Sequence, residues 1–142
     1  MVAVAVAVVC LGGLGVGYLA YDKATGPDLS HPDVAVSDYL RESLVNRNDV
    51  RAAQYTCGHR HLAQIEQLRD DLIAREKRFG TPINVSWGKL TVSKTGDNAA
   101  HVAVDLRISA SVDGGYQQQM QSWEFEVQHR SGWQVCDASR RS

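Results

Sequence analysis

Apolar positions fall along this chain in three successive regimes: an unbroken run, then helical spacing, then strict alternation. The run covers residues 1–21 and contains no charge, amide or proline. At a helical rise of about 1.5 Å per residue it reaches roughly 30 Å, the thickness of a bilayer's hydrocarbon core, and so predicts a transmembrane anchor. Residues 22–30 are polar and carry Gly26-Pro27, which reads as a linker.

Helical spacing begins after the linker. Ser30 precedes Pro32 and Asp33, the order expected of a hydroxyl cap, a first-turn proline and an acid at the positive helix end. Val36, Tyr39, Leu40 and Leu44 then form one stripe. Asn46-Arg47-Asn48-Asp49 interrupts it, and Asp49 is expected to cap a second short helix that runs toward Cys57. A third helix is predicted over 61–79, with Leu62, Ile65, Leu68, Leu72 and Phe79 inward. Its Glu66, Arg69, Asp70, Arg75, Glu76 and Arg78 read as a solvated face, and Gly80-Thr81-Pro82 ends it.

From Ile83 the period becomes two. Ile83, Val85 and Trp87 alternate, and Leu90 and Val92 continue on the opposite parity, so Gly88 marks an expected β-bulge. Thr95-Gly96-Asp97-Asn98 turns into a strand with Ala100, Val102, Val104, Leu106, Ile108, Ala110 and Val112 on one face. Asp113-Gly114-Gly115 leads back into a strand where Trp123, Phe125 and Val127 alternate. Ser131-Gly132 then leads to a last strand with Trp133 and Val135. Helices followed by strands predict an α+β fold, with three helices packed on one four-stranded antiparallel sheet. The expected division is anchor 1–21, linker 22–30, domain 31–138 and tail 139–142.

All 15 Lys and Arg and all 16 Asp and Glu lie beyond Tyr21 and are interspersed, which excludes the basic stripe of a nucleic-acid partner. The apolar run has no basic residue before it, is too long for a signal peptide and has no small-x-small cleavage site, so an uncleaved anchor is favoured. The missing basic residues also lead us to expect more chain upstream of Met1. Gly13 and Gly17 stand at a spacing that lets membrane helices approach closely; the homodimer this would give is weaker than the reading of a lipid-facing segment.

Two cysteines lie in the soluble part, Cys57 and Cys136. An even count outside the cytoplasm favours a disulfide, which across a loop of this length stabilises by about 4 kcal/mol. The competing reading is a metal site from Cys57, His59 and His61 with Cys136 or His101, ligand types that zinc accepts. That spacing matches no closed zinc motif, and residues two apart on a helix diverge, so the disulfide is favoured and no metal or other cofactor is expected.

The layout of anchor helix, Val36, Tyr39 and Leu40, Asn48-Asp49, a helix ending at Cys57, a longer helix and strands closing on Gly132-Trp133-Gln134-Val135-Cys136 resembles a known group. It is similar to the single-pass membrane proteins of mycobacteria and related actinobacteria with an extracytoplasmic NTF2-like (cystatin-like) domain, among them Mce-associated and uncharacterised proteins. The resemblance implies a cone in which the sheet wraps a long helix, a Cys57–Cys136 pair outside the membrane, and a binding or assembly role at the cell envelope.

The expected function is therefore a non-enzymatic module, held on the outer face of the plasma membrane, that binds an envelope protein or a lipid-like ligand. The alternative is an enzyme of the ketosteroid-isomerase or dehydratase type, which needs a titratable group with a shifted pKa inside the cone. Its candidates are Asp38, Tyr39, His101, Asp105 and Glu124, of which His101, Asp105 and Glu124 fall on the face opposite the apolar stripe and Tyr39 on a core stripe. Gln117-Gln118-Gln119-Met120-Gln121 offers an uncharged strand edge for assembly. Trp87, Trp123 and Trp133 sit at alternating apolar positions, where core packing outweighs a ligand platform.

Overall fold

The computed structural model describes residues 26–141. The anchor expected over 1–21 lies outside the described residues; among these, no helix is long and apolar enough to cross a membrane. The elements in chain order are α1 Pro32–Leu40, a wide turn Arg41–Val45, α2 Asp49–Ala53, a single turn Cys57–His59 and α3 Ala63–Phe79. The strands follow as β1 Asn84–Trp87, β2 Thr91–Gly96, β3 Ala99–Val112, β4 Gly115–His129 and β5 Trp133–Arg140.

Helix starts differ from expectation in which side chain caps. Pro32 opens α1 as anticipated, but His31 is the capping residue and its side chain makes no capping bond. The Ser30 hydroxyl instead donates to Asp28 Oδ1 at 2.6 Å. In α2 the cap is Asn48, whose side-chain oxygen accepts from the Arg51 N–H at 3.1 Å, one residue earlier than the expected Asp49. Helix α3 ends as expected at Gly80, in the left-handed conformation with φ 63°.

The sheet has the order β1-β3-β4-β5, with β2 also paired to β3 and every neighbour antiparallel. Five strands are present where the pattern predicts four, because the edge strand is divided at the expected bulge. Trp87 pairs with Leu106 and Thr91 with Ala103, so four residues on the edge advance against three on β3. The extra residue flips the side-chain parity and interrupts pairing across 88–90. Two further extra residues, which the sequence pattern does not reveal, are Thr95 in β2, between Lys94 opposite Ala100 and Gly96 opposite Ala99, and Cys136 in β5, left unopposed where Glu126 pairs with Asp137 but Val127 with Val135.

Helices cover one face of the sheet. Ala35, Val36, Tyr39, Leu40 and Leu44 pack with Ile65, Leu68 and Leu72 of α3 against Val102, Val104, Leu106, Trp123, Phe125, Val127 and Val135, all buried. Tyr39 meets Phe125 edge-on with ring centroids 6.3 Å apart. Trp123 and Trp133 are core residues, and partly buried Trp87 donates its indole N–H to Ser37 Oγ at 3.1 Å. Phe79, expected inward, is 55% exposed.

Three links fasten the helical half to β5. Cys57 and Cys136 form a disulfide, the Val135 N–H donates to the Tyr55 carbonyl at 2.8 Å, and the Trp133 N–H donates to the Leu29 carbonyl at 2.8 Å. Gly132 adopts φ 145°, and a Cβ there would lie 2.6 Å from Leu29 Cβ, so only glycine lets the chain pass so close. We predict that Cys57→Ala with Cys136→Ala lowers stability by about 4 kcal/mol in urea unfolding, the loop-closure value for this separation. A loss below about 1 kcal/mol would assign the junction to its hydrogen bonds alone.

Candidate binding trough

The stripe that α3 buries as Ile65, Leu68 and Leu72 continues one turn further as Arg75 and Phe79, past the end of the packed core. Beneath it the β3–β4 hairpin also runs on. Asp113 and Gly114 close that hairpin with φ 52° and 75°, the two left-handed residues of a tight turn. A trough opens between helix and hairpin arm, and at its far end the Thr81 hydroxyl donates to the Ser111 carbonyl at 3.0 Å.

One hollow, of about 340 Å³, is lined by Phe79, Ile83, Ile108, Ala110 and Val112, with Gln117 and Gln119 beside them. A second, of about 320 Å³, shares Arg75 and Gln119 with the first and adds Gln64, Gln67, Asp71 and Arg140. Pairing explains the floor. Ile108 lies opposite Gln119 and Ala110 opposite Gln117, so the inward face of the arm changes from aliphatic on β3 to amide on β4. Arg75 stands at the junction, its Nη2 2.8 Å from Asp71 Oδ2. The trough is thus apolar at one end and lined by amides and charges at the other.

The floor of this end is braced from outside by a contact that the sequence pattern conceals. Arg47 donates from Nη1 and Nη2 to the two Glu76 carboxylate oxygens at 2.8 Å each, and the Ile83 N–H donates to Glu76 Oε1 at 2.9 Å. The arginine bond first, and the backbone N–H second, hold the Glu76 carboxyl down at about 2. Helical spacing alone puts Glu76 on a solvated face; its partner lies 29 residues away and no local spacing reveals it. Arg69, on the same expected face, is largely buried and forms an ion pair with Asp49.

The structure brings one pair of the candidate catalytic residues together, His101 and Glu124, and puts that pair on the outer face of the sheet, away from the trough. Asp105 is on the outer face and accepts from Ser122 Oγ at 2.6 Å, while His101 Nδ1 is 3.0 Å from Glu124 Oε1 on that same face. Tyr39 is in the core, where burial pushes its hydroxyl up to about 12. The void beside it, bounded by Ser43, Asp49, Arg60, His61 and Glu66, measures about 10 Å³, room for about one water and no substrate. Asp38 lies on α1 with Arg41 Nη1 3.0 Å away, its carboxyl raised by partial burial. Cys57 and Cys136 are joined to each other, so neither offers a thiolate. His61 meets Glu66 at 2.6 Å and His59 is exposed; among the described residues no three His, Cys, Asp or Glu converge.

No family model and no curated protein matches the chain. Solved structures do. An NTF2-like protein with a cystatin-like fold from Novosphingobium aromaticivorans superposes with a TM-score of 0.55 at 14% identity, covering 76% of this chain and 77% of that one. Aln2 from a Streptomyces species gives 0.54 at 12% identity, covering 80% and 93%. Rv3472, a protein of unknown function from Mycobacterium tuberculosis, gives 0.52 at 7% identity, covering 76% and 69%. The chain has the α+β fold of NTF2-like, cystatin-like proteins.

The Glu76 brace has a defined acid signature. A carboxyl held below its unfolded value of 4.5 stabilises the fold fully above that pH, and the contribution is lost as pH falls toward about 2. We expect Glu76→Gln to cost about 1 to 2 kcal/mol at pH 7 and progressively less toward pH 2, read by urea unfolding across that range. A cost that stays constant with pH would remove the carboxylate from the explanation.

Proposed function

We propose that this chain is a membrane-anchored extracytoplasmic binding module that holds a lipid-like amphiphile in the trough between α3 and the β3–β4 arm, without catalysing a reaction. The observation that carries the reading is the trough's division into an aliphatic end and an amide end. An acyl chain gains by leaving water against Phe79, Ile83, Ile108 and Val112, at about 25 cal/mol per Å² buried. A polar head then meets Gln64, Gln67, Gln119, Gln121 and Arg75, which supply donors and acceptors without a catalytic pair.

The anchored, outward-facing part of the proposal rests on the apolar run of 1–21 and on the disulfide, which persists in oxidising compartments. The same layout supports kinship with the envelope proteins of actinobacteria, Mce-associated ones included. An isomerase or dehydratase is disfavoured because its candidates Asp38, Tyr39, His101, Asp105 and Glu124 lie outside the trough lining.

The test is a fluorescence titration of the chain in detergent-free nanodiscs with a dansylated acyl carboxylate. Saturable enhancement is expected, abolished by Ile108→Glu and weakened about threefold to tenfold by Arg75→Ala. Enhancement that ignores Ile108→Glu would sink the trough as the site. For the compartment, protease added to intact spheroplasts should remove the domain; full protection would put it on the cytoplasmic side.

A further inference from the structure

Between its hairpin end and residue 122 the strand β4 has a neighbour on only one side. Its pairing with β3 extends to the hairpin end, Gly115 opposite Val112, but β5 stops at Arg140 opposite Trp123. The last bond in the β5 lane is the Arg141 N–H donating to the Ser122 carbonyl at 2.8 Å. N–H and C=O of one residue point the same way along a strand and alternate with the next, so Tyr116, Gln118 and Met120 also aim theirs into that lane. Among the described residues nothing accepts or fills them, and 115–120 are exposed throughout. A cleft of about 460 Å³, lined by Met120, Gln121, Ser122, Arg140 and Arg141, lies at the lane's closed end.

Proteins ordinarily protect such an edge with lysine, proline or a bulge. Here Gly115–Gln121 carries no charge and no proline, and its pairing with β3 is unbroken. We propose that this edge is the interface for a second copy of the chain, paired antiparallel to itself about a two-fold axis at Gln118.

The register follows from the sequence of the edge. With Gln118 opposite Gln118 of the second copy, Tyr116 falls opposite Met120 and Met120 opposite Tyr116. All three outward residues then exchange both backbone bonds with their counterparts. Tyr116 and Met120 are 67% and 50% exposed on the outer face, and in this register each sulfur meets a ring. On the inner face Gln117 meets Gln119, amide against amide. The second copy's hairpin tip, with Asp113, arrives at the end of β5 where Arg140 and Arg141 stand, so opposite charges meet twice. The shared ladder therefore ends at Gly115 opposite Gln121, because the next lane position, at Ser122, is held by the Arg141 N–H, and Gly114 carries no side chain to obstruct the turn beside it. A shift by two residues in either direction loses a Tyr–Met pair or drives the tip into β5. The proposal does not depend on what the trough binds.

Cross-linking of the full chain in detergent, in a Cys10→Ser background, tests it. Residues opposed across a bonded pair have Cα atoms about 5.5 Å apart, within disulfide range. Gln118→Cys is therefore expected to give a covalent dimer as the main product of mild oxidation. Tyr116→Cys, about 15 Å from its own copy, should not cross-link unless Met120→Cys is added. Gln118→Lys sets two like charges opposite each other on an exposed face and should weaken the dimer about tenfold, with the Cys57–Cys136 bond and helical signal intact. A monomer at all concentrations, a Gln118→Cys yield no greater than that of Tyr116→Cys, or a dimer indifferent to Gln118→Lys would each overturn the proposal.

Discussion

The junction between the segment Tyr55–Cys57 and strand β5 is the constraint on which the rest of this structure depends. The helices come first in the chain and the strands last, so no hairpin ties one group to the other. The disulfide bridges a separation of 79 residues, and the Tyr55 and Leu29 carbonyls accept from Val135 and Trp133, closing the outer edge of β5 with backbone bonds. That closure draws α1 over Phe125 and Val127 and leaves α3 reaching across toward the hairpin arm. It also decides which edges stay open: β5 is sealed by the protein's own chain, and the distal half of β4 is not.

Extra residues shape both edges of the sheet, and the one in β5 serves this junction. Trp87, opposite buried Leu106, faces the core and its indole reaches Ser37 on α1, and the extra residue between Trp87 and Thr91 then turns Val92 to the same face, opposite Val102. The one at Cys136 shifts the buried positions of β5 from Trp133 and Val135 to Ala138. A strand in strict alternation would put residue 137 inward after 135. The unopposed residue absorbs the step and turns the cysteine toward Cys57 instead.

How much of this was legible in the sequence depended on whether its signal was local. Alternation from Ala100 to Val112 predicted β3 and its buried face, and the parity flip at Gly88 predicted the bulge, because period and burial are coupled along a single strand. Asp113-Gly114 predicted the hairpin by its need for positive φ. Helix caps were displaced by one residue at Asn48, and at Ser30 a competing acceptor, Asp28, captured the hydroxyl. Glu76 and Arg69 escaped because helical spacing tells which face a charge occupies but not what arrives there from elsewhere in the fold. The trough escaped for a related reason. Gln117 and Gln119 read as an uncharged edge, and only the pairing with Ala110 and Ile108 shows that their side chains turn inward.

The two faces of that arm divide the work between odd and even residues. Gln117, Gln119 and Gln121 turn toward the trough, whereas Tyr116, Gln118 and Met120 turn their side chains outward and their backbone groups into the open lane. A ligand held in the trough and a second copy paired in the lane, as proposed, would therefore use opposite faces of the same stretch of strand. Residues 115–120 of β4 are exposed and hydrogen-bonded along one edge, to β3, so a partner that binds there would bear part of the entropy of holding them still. Whichever bound first would bear that cost for both. Were both proposals to hold, pairing through β4 and occupancy of the trough would be coupled in the favourable direction with no change of shape between them, since a strand fixed on its outer edge also fixes the amides on its inner face.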